Sequence, residues 1–477
     1  MIGRKNEQKR IQRLLESDRS EFLAVTGRRR VGKTFLVDSL LRNNYCFSMT
    51  GIQNGNQETQ LVNFAIKLAE YDGSLAPKKP ENWQIAFLQL RAYLKTLDSN
   101  KKQVIFIDEL PWVATPKSGF IQILAHLWND YISKESHFIL VICGSATSWI
   151  SQKIINDPGG LHNRVTENIH LYPFTIAETN AFLESRGLRF SNQETAKIYM
   201  ALGGIPFYLE HIRKGESFAT AIERICFSPT GILHNEYDNL FKALFSNAEM
   251  HQQIVAALSK RHYGMTHKEI LEQIGMERPT GSYKRAFDEL IVSDFVMENV
   301  PFGKKKRGST YRLIDEFSVF YHRFIQPNRK YTPGIWQHLA ESQSYKIWAG
   351  YAFETLCHKH IHAVKQVLGI SAVYTEINSL NVPNSSVQEG FQIDLLIDRK
   401  DNAINICEIK FHSGPFLISK EYYEKLVALR QRFIDFTHTR KQVFLTFITN
   451  YGIVPNSYSK EIADAEIDLE QLMEAAG

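Results

Sequence analysis

The chain has 477 residues, of which 44% are hydrophobic and 22% are charged, and a formal net charge of +5. This length is too great for one hydrophobic core and predicts several domains, while the composition excludes a disordered chain. No apolar run approaches the roughly 20 residues of a membrane span, and the first residues do not resemble a targeting segment. The mild positive charge permits a nucleic-acid partner without demanding one. We therefore expect a cytoplasmic, multidomain protein that does not cross a membrane.

The cysteines Cys46, Cys143, Cys226, Cys357 and Cys407 are scattered along the chain. Their separations do not match the spacing of zinc ligands, and three of them lie in or beside apolar runs. This usage predicts buried, reduced thiols.

The first predicted strand, residues 22–25, runs directly into the pattern G-x-x-x-x-G-K-[ST], and a helix follows. Such a loop directs backbone N–H groups into one concavity at a helix N-terminus, where an anion is favoured. Lys33 is expected to reach the β- and γ-phosphates of ATP, and the Thr34 hydroxyl to bind Mg²⁺. The predicted nucleotide-binding residues of this segment are Gly27, Arg28, Arg29, Arg30, Val31, Gly32, Lys33, Thr34 and Phe35.

Two further apolar runs predict buried parallel strands at residues 104–107 and 138–142, each ending in polar residues. Ligands bind beyond the carboxyl ends of such strands. Asp108 is therefore expected to hold Mg²⁺ and Glu109 to polarise the attacking water. Ser145 is placed to contact the γ-phosphate, although small residues at strand ends are often simple turn residues.

Several short motifs accompany this site: Ile2-Gly3-Arg4 with Glu7, Asp108-Glu109-Leu-Pro-Trp, Asn163-Arg164 before a strand at residues 169–173, and Gly203-Gly204-Ile-Pro206. Together they resemble the AAA-related and STAND-like P-loop ATPases of prokaryotes that carry a nuclease-related C-terminal domain.

The resemblance implies that Gly3 and Arg4 lie near the adenine and that residues 203–206 belong to a helical lid over the nucleotide. It also implies that Arg164 faces the γ-phosphate, either in its own subunit or from a neighbouring one, which allows a homo-oligomer. From the residues alone, an arginine before a strand is more often the partner of a salt bridge.

The predicted organisation is an α/β multidomain protein. Residues 1–172 alternate strands and helices, which favours a parallel sheet with helices on both faces, and the pattern of residues 173–246 predicts a helical lid.

Residues 247–325 predict three helices and a hairpin, the order of a winged helix-turn-helix. In such a unit Tyr283, Lys284 and Arg285 of the third helix would enter a major groove of DNA, and the basic tip at residues 304–307 would meet phosphate. The alternative is a winged helix that contacts only proteins.

Residues 340–477 form the last predicted domain, in which a strand carrying Asp394 turns back into a strand carrying Glu408 and Lys410. Alternation along a strand places Glu408 and Lys410 on one face, and Asp394 can converge on it. Two carboxylates and a lysine are the groups that Mg²⁺-dependent phosphodiester cleavage requires. The order of elements resembles the PD-(D/E)XK nucleases, and this resemblance implies a further catalytic carboxylate at Glu354.

Three readings of function remain open. The first is an ATP-hydrolysing, DNA-associated protein with a Mg²⁺-dependent nuclease centre that uses Asp394 and Glu408 as metal ligands. The second is a nucleotide-driven switch of STAND type whose C-terminal domain is a non-catalytic scaffold. The third, a small-molecule kinase, leaves the C-terminal carboxylates unexplained. A metal-ligand role for His358 and His362, four and eight residues after Glu354, is a further alternative.

Overall fold

A computed structural model describes residues 1–74, 76–156, 159–245, 247–303, 308–384 and 389–477. These residues divide into two compact units, residues 1–173 and 174–477. Within the described residues, no helix combines the length and the apolar composition that crossing a membrane requires.

The first unit is built on a parallel sheet of five strands in the order β2-β3-β4-β1-β5. Its strands are β1 (Glu21–Thr26), β2 (Tyr45–Thr50), β3 (Gln103–Asp108), β4 (Phe138–Cys143) and β5 (Glu167–His170). Its helices are α1 (Lys5–Glu16), α2 (Lys33–Leu41), α3 (Gln57–Asp72), α4 (Trp83–Leu94), α5 (Leu110–Val113), α6 (Phe120–Asp130) and α7 (Thr147–Ile150).

Every residue of β1, β3 and β4 is buried, as expected for parallel strands covered on both faces. The aromatic rings of Phe64, Trp83, Phe87 and Phe120 pack edge to face or tilted above one side of the sheet. The strands predicted at residues 22–25, 104–107 and 138–142 are confirmed. The strand predicted at residues 169–173 is displaced: β5 begins at Glu167, because its pairing with β1 starts opposite Leu23.

The second unit begins with helices and a small hairpin. The elements are α8 (Ile176–Ser185), α9 (Asn192–Leu202), α10 (Pro206–Leu209), α11 (Phe218–Ile222), α12 (Glu236–Leu244), α13 (Ala248–Leu258), α14 (His267–Gln273), α15 (Gly281–Val292), β6 (Val296–Asn299) and β7 (Thr310–Leu313). β6 and β7 pair antiparallel. Lys304, Lys305, Lys306 and Arg307, the predicted hairpin tip, lie outside the described residues.

The same unit ends in a second five-stranded sheet of order β12-β11-β10-β9-β8. Its elements are α16 (Glu316–Phe320), α17 (Ile335–Ala340), α18 (Gln343–Lys359), α19 (Ile361–Val367), β8 (Thr375–Val382), β9 (Phe391–Arg399), β10 (Ala403–Lys410), α20 (Lys420–Thr437), β11 (Gln442–Thr449), α21 (Ser457–Ile462), β12 (Ala465–Ile467) and α22 (Leu469–Ala475). β8, β9 and β10 run antiparallel, and β10, β11 and β12 run parallel.

The third helix before the hairpin, α15, differs from the sequence prediction at one residue. Tyr283 was expected to be exposed, but it is only 1% exposed and its hydroxyl lies 2.9 Å from Nδ1 of His267. Residues 283, 287 and 290 fall on one face of the helix, and that face packs inward. Lys284 and Arg285 are exposed, as expected.

All five cysteines are buried with free thiols. Burial raises the pKa of Cys46 to about 12 and shifts those of Cys143, Cys226, Cys357 and Cys407 in the same direction.

Candidate functional site

The phosphate-binding loop joins β1 to α2 and depends on two glycines. Gly27 and Gly32 have φ values of 132° and 93°, which other residues rarely adopt. A Cβ at Gly27 would lie 2.3 Å from the carbonyl oxygen of Leu171, so the backbone passes too closely for a side chain. Gly32 is the N-cap residue of α2. The unpaired N–H groups of the first turn of α2 therefore end the loop, where an anion is favoured.

Lys33 is buried at the centre of this loop. Its Nζ donates hydrogen bonds to the carbonyl oxygens of Gly27 (2.9 Å) and Arg28 (2.8 Å). Burial lowers the pKa of Lys33, whereas the nearby carboxylates of Glu109 and Asp108 act in the opposite direction. The ammonium group thus lies close to the loop backbone and to both acids that end β3.

Thr34 and Asp108 meet across the site. The Thr34 hydroxyl donates to Oδ2 of Asp108 at 2.8 Å, and the backbone N–H of Glu109 donates to Oδ1 of Asp108 at 2.9 Å. A hydroxyl and a carboxylate are oxygen ligands of the kind that Mg²⁺ binds. The two residues predicted to hold the metal beside the phosphates therefore lie side by side.

Glu109 and Ser145 form a second pair. Glu109 follows β3 and Ser145 follows β4, and these two strands are neighbours in the sheet. The Ser145 hydroxyl donates to the Glu109 carboxylate at 3.1–3.2 Å, and the Ser145 N–H lies 3.3 Å from Oε2. Burial raises the pKa of Glu109, and the charge of Lys33 and then the hydrogen bonds from Ser145 partly offset this change. Ser145, predicted as a γ-phosphate contact, thus positions the carboxylate predicted to polarise the attacking water.

The N-terminal motif packs against the phosphate loop. Arg4 is 5% exposed, and its Nη2 donates to the carbonyl oxygen of Val31 at 3.3 Å. Gly3 precedes Arg4 with a φ of 61°. Arg164 lies exposed in the turn before β5, and its contact with a γ-phosphate stays a prediction.

The other residues of the loop differ in exposure. Arg28 and Val31 are buried, Arg29 and Arg30 are half-buried, and Phe35 is 64% exposed at the start of α2. No sequence motif indicated Thr147, whose Oγ1 accepts a hydrogen bond from the Gly27 N–H at 3.2 Å. A threonine at the start of a short helix usually indicates no more than a helix cap.

The Gly203-Gly204 motif connects α9 to α10 in the second unit. A Cβ at Gly204 would lie 2.0 Å from the carbonyl oxygen of Phe174, and the Phe174 N–H donates to the Gly204 carbonyl at 2.7 Å. Gly203 has a φ of 65° and faces the Glu316 carboxylate. Packing inside this unit accounts for both glycines, and the predicted lid over a nucleotide stays a prediction.

The C-terminal carboxylates lie where two strands separate. β9 pairs with β10 from Asp398, opposite Ile404, to Leu395, opposite Cys407. Asp394 on β9 and Glu408 on β10 are the next residues beyond this last pair. On the other side of β9 the register against β8 shifts, and Asp394 with Leu395 lies opposite the single residue Ser379. Such a β-bulge reorients side chains and is frequent beside active sites.

Glu354 lies on α18 and is 8% exposed. Burial, followed by the charge of Asp394, raises its pKa to about 8, while Arg312 and Lys410 oppose this shift and Glu408 adds to it. Arg312 approaches Glu354 Oε2 at 3.8 Å from β7. The charges of all four neighbours therefore act on one buried carboxylate. Helix α18, which carries Glu354, begins at Gln343.

Glu408 and Lys410 form an ion pair of 2.6 Å between Oε1 and Nζ. The hydroxyl of Tyr422, in the first turn of α20, donates to the same Glu408 oxygen. The side chains of Glu408 and Lys410 are 18% and 30% exposed, so solvent reaches both. Asp394 Oδ1 instead accepts from Nε2 of Gln392 at 2.5 Å.

The histidines near Glu354 do not form the predicted helical row of metal ligands. Helix α18 ends at Lys359 and α19 begins at Ile361, so His358 and His362 lie on different helices. His358 Nε2 lies 3.1 Å from the backbone oxygen of Asp394, and burial lowers its pKa to about 3. Across the described ranges, no group of three or more His, Cys, Asp or Glu side chains is arranged to hold a metal ion.

Three residues of this region were not predicted from the sequence, namely Arg312, Gln392 and Tyr422. Arg312 comes from another segment of the chain, and no local pattern links β7 to α18. Gln392 and Tyr422 lie close in sequence to Asp394 and Glu408, but polar residues at such positions are usually solvated.

Residues 1–212 match the family model described as an ATPase domain predominantly from Archaea. An uncharacterized protein of Methanocaldococcus jannaschii is 23% identical over 429 residues, which cover 89% of this chain and 90% of that protein. The solved structure of a Walker-type ATPase of Pyrococcus abyssi is 17% identical and has a TM-score of 0.51. That match covers 68% of this chain and 96% of the other, and it shows a common fold.

The phosphate loop, the acids that end β3 and the match over residues 1–212 agree with one another. Residues 1–212 thus match an ATPase domain found predominantly in Archaea, and the chain binds ATP and is an ATPase.

Proposed function

We propose that the first unit hydrolyses ATP with Mg²⁺ held by Thr34 and Asp108 and with water activated by Glu109. The observation that carries this assignment is the contact of Thr34 with Asp108 at 2.8 Å, beside the buried Lys33. Bound there, the metal would supply charge neutralisation for the phosphate oxygens. Lys33 neutralises charge on the transferred phosphoryl group, and Glu109, oriented by Ser145, accepts the proton of the attacking water.

Two substitutions test this mechanism. Lys33→Ala is expected to abolish both ATP binding and turnover, whereas Glu109→Gln is expected to bind ATP while turnover falls at least 100-fold. The measurements are phosphate release and binding of a fluorescent ATP analogue. Lys9→Ala, an exposed lysine on α1, is the control. Turnover that persists in both site variants would remove Lys33 and Glu109 from the mechanism.

For the second unit we propose DNA association and Mg²⁺-dependent phosphodiester cleavage. The supporting observation is that Asp394 and Glu408 follow the last residue pair of two separating strands, with Lys410 paired to Glu408. Both carboxylates supply oxygen ligands suited to Mg²⁺, and Lys410 is suited to offset charge that develops on a phosphate. Three helices and a hairpin precede this sheet, and the exposed Lys284 and Arg285 suit a winged helix that contacts phosphate.

The nuclease proposal is tested with single-stranded, duplex and branched DNA in Mg²⁺ or Mn²⁺, with and without ATP. Asp394→Ala and Lys410→Ala are expected to lose cleavage that the wild-type protein shows. The matched controls are Asp401→Ala and Lys400→Ala, which remove charges from the exposed turn between the same two strands. A wild-type protein that cuts none of these substrates contradicts the proposal.

A second candidate function is a nucleotide-driven switch whose C-terminal sheet binds a partner without cleaving it. The observation that favours it is the engagement of Glu408 by both Lys410 and Tyr422, which satisfies that carboxylate internally. This reading predicts retained ADP in the purified protein, slow turnover and ATP-dependent oligomerisation. Rapid turnover together with metal-dependent cleavage would exclude it.

A further inference from the structure

A cleft of about 390 Å³ lies beside the C-terminal carboxylates, within the second unit. One wall is the segment from Arg261 to Glu269, a second is the hairpin of β6 and β7, and the third is formed by β8 and β9. Asp394 and its partner Gln392 line the cleft, as does Phe436 near the end of α20. The cleft therefore extends from the surface to one of the carboxylates assigned to phosphodiester chemistry.

The hairpin wall is fixed to the sheet. The Phe302 N–H donates to the carbonyl oxygen of Ser379 at 3.1 Å, and Asn299 Nδ2 donates to the Ser379 hydroxyl at 2.6 Å. The ring of Phe302 packs on that of Phe433 with centroids 5.4 Å apart. Ser379 is the residue opposite the β-bulge that carries Asp394. The width of the cleft is thus set by direct bonds between the hairpin and the sheet.

The lining contains two exposed aromatic rings, the half-buried ring of Phe302 and two arginines. Tyr263 is 38% exposed and Phe436 is 46% exposed, and both rings line the same cleft. The guanidinium of Arg261 lies 5.6 Å from the centre of the Tyr263 ring and is 38% exposed, and its Nη1 donates to Oε1 of Glu269, which lines the same cleft. A phosphate at Arg261 would therefore share the guanidinium with this carboxylate. Arg312, by contrast, is buried and bound to Thr355 Oγ1 at 2.7 Å. Tyr263, Phe436 and Arg261 therefore remain accessible to a ligand.

Exposed aromatic rings beside an accessible arginine form a surface that binds unpaired nucleotides, because each base offers a face for stacking and each phosphate a charge. Bases inside a duplex are already stacked on their neighbours and cannot use such rings. Amide side chains in the wall, such as Asn381 and Gln392, supply the polar contacts that orient a ligand.

We infer that this cleft binds an unpaired polynucleotide segment, with bases stacked on Tyr263 and Phe436 and a phosphate at Arg261. The inferred occupant is one strand that runs along the cleft toward Asp394. The inference that the bound strand is delivered for cleavage rests on the proposed nuclease function. The inference that the cleft binds the strand does not. The substrate class of the C-terminal centre is accordingly a single strand, an overhang or a frayed end.

Binding is measured by fluorescence anisotropy of the full-length protein with labelled oligonucleotides in EDTA, so that metal-dependent cleavage cannot contribute. The oligonucleotides are single-stranded dT, single-stranded rU and a blunt duplex of the same length. We expect the single strands to bind more tightly than the duplex, and comparison of dT with rU distinguishes DNA from RNA.

Tyr263→Ala and Phe436→Ala are each expected to weaken single-strand binding about 5- to 100-fold, the range of one lost stacking contact. Tyr263→Phe retains the ring and is expected to bind like the wild type. Arg261→Ala is expected to reduce the slope of log affinity against log salt by about 0.7. The matched controls are Lys268→Ala, an exposed lysine on α14, and Tyr451→Ala, an exposed tyrosine elsewhere in the unit.

Melting temperatures of all variants identify any that lose binding through unfolding, and Tyr263→Phe provides a folded comparison for the ring. Preferential binding of the blunt duplex, or unchanged single-strand affinity in both folded aromatic variants, would overturn the inference. Binding without cleavage would support the cleft and contradict the nuclease proposal, so the two failures are distinguishable.

Discussion

Burial changes the chemistry of single side chains in both units. Lys33 Nζ donates hydrogen bonds to the loop carbonyls. Burial raises the pKa of Glu109, and it raises the pKa of Glu354 to about 8. The hydrogen bonds of Ser145 limit the change at Glu109. The Ser145 hydroxyl is therefore expected to influence catalysis without contributing a ligand atom.

Ser145→Ala is expected to lower ATP turnover by about 10- to 100-fold, because an unoriented Glu109 positions water poorly. ATP affinity is expected to change less than threefold. Steady-state kinetics with a separate binding titration measure the two effects. Ser20→Ala removes another buried hydroxyl, just before β1 at the opposite edge of the sheet, and serves as control.

Glu354 gives the second unit a defined pH dependence. Its folded pKa of about 8 exceeds the value of roughly 4.3 for an unfolded glutamate, so the folded state binds this proton more tightly. The stability that this group contributes is complete below about pH 4 and is lost as the pH rises toward 8, by up to about 1.4 kcal/mol per pH unit.

Glu354→Gln is therefore expected to remove this loss and to be more stable than the wild type at pH 8.5, by a few kcal/mol. At pH 5.5 the free energies of unfolding of the wild type and Glu354→Gln should differ much less than at pH 8.5. Urea denaturation at both pH values measures the difference. Glu376→Gln, an exposed glutamate on β8, should show no such dependence. Parallel stability curves for wild type and Glu354→Gln would contradict the assigned protonation.

At the scale of elements, strands with uninterrupted apolar runs were predictable, whereas β2 and β8 were not predicted individually. β2 (Tyr45–Thr50) mixes a serine and a threonine with apolar residues, and β8 carries a glutamate, two asparagines and a serine. Neither segment has an uninterrupted apolar run, and the glutamate and asparagines of β8 are depleted in strands, so pairing with β3 and β9 defines both strands. Tyr283 illustrates the same limit, because a helix face is defined only by what packs against it.

The turn between α9 and α10 depends on a missing side chain. Gly204→Ala would drive a Cβ into the Phe174 backbone, and it is expected to destabilise the second unit by about 1–3 kcal/mol. Gly350→Ala, in the interior of α18 with open space around it, is expected to be neutral or to stabilise by up to about 1 kcal/mol. Thermal or urea unfolding of both variants checks the contrast, and equal effects would contradict it.

At the scale of the whole molecule, the phosphate site and the carboxylate site lie in different compact units, each with its own core. The phosphate site was predictable because its residues are contiguous or end buried strands. The surroundings of Glu354 were not, since Arg312 arrives from a separate segment and the β-bulge at Asp394 depends on pairing with β8.

Separate cores predict separate responses to nucleotide. MgATP analogue at 100 times its Kd is expected to stabilise the first unit by about 2.7 kcal/mol, whereas the second unit would respond only through the predicted lid of residues 173–246. Differential scanning calorimetry should show that the transition of the first unit shifts more than that of the second. Lys33→Ala should show no nucleotide-dependent shift. A common shift of both transitions would instead indicate strong coupling between the units.

The inaccessible thiols have a practical consequence for experiments. Thiol reagents attack the thiolate, and burial keeps all five native sulfurs protonated and out of reach at neutral pH. A single cysteine introduced on an exposed residue such as Lys284 therefore becomes the preferred labelling site in an otherwise unaltered background. Pairs of such labels would let spectroscopy follow how each part of the chain moves through one round of nucleotide turnover.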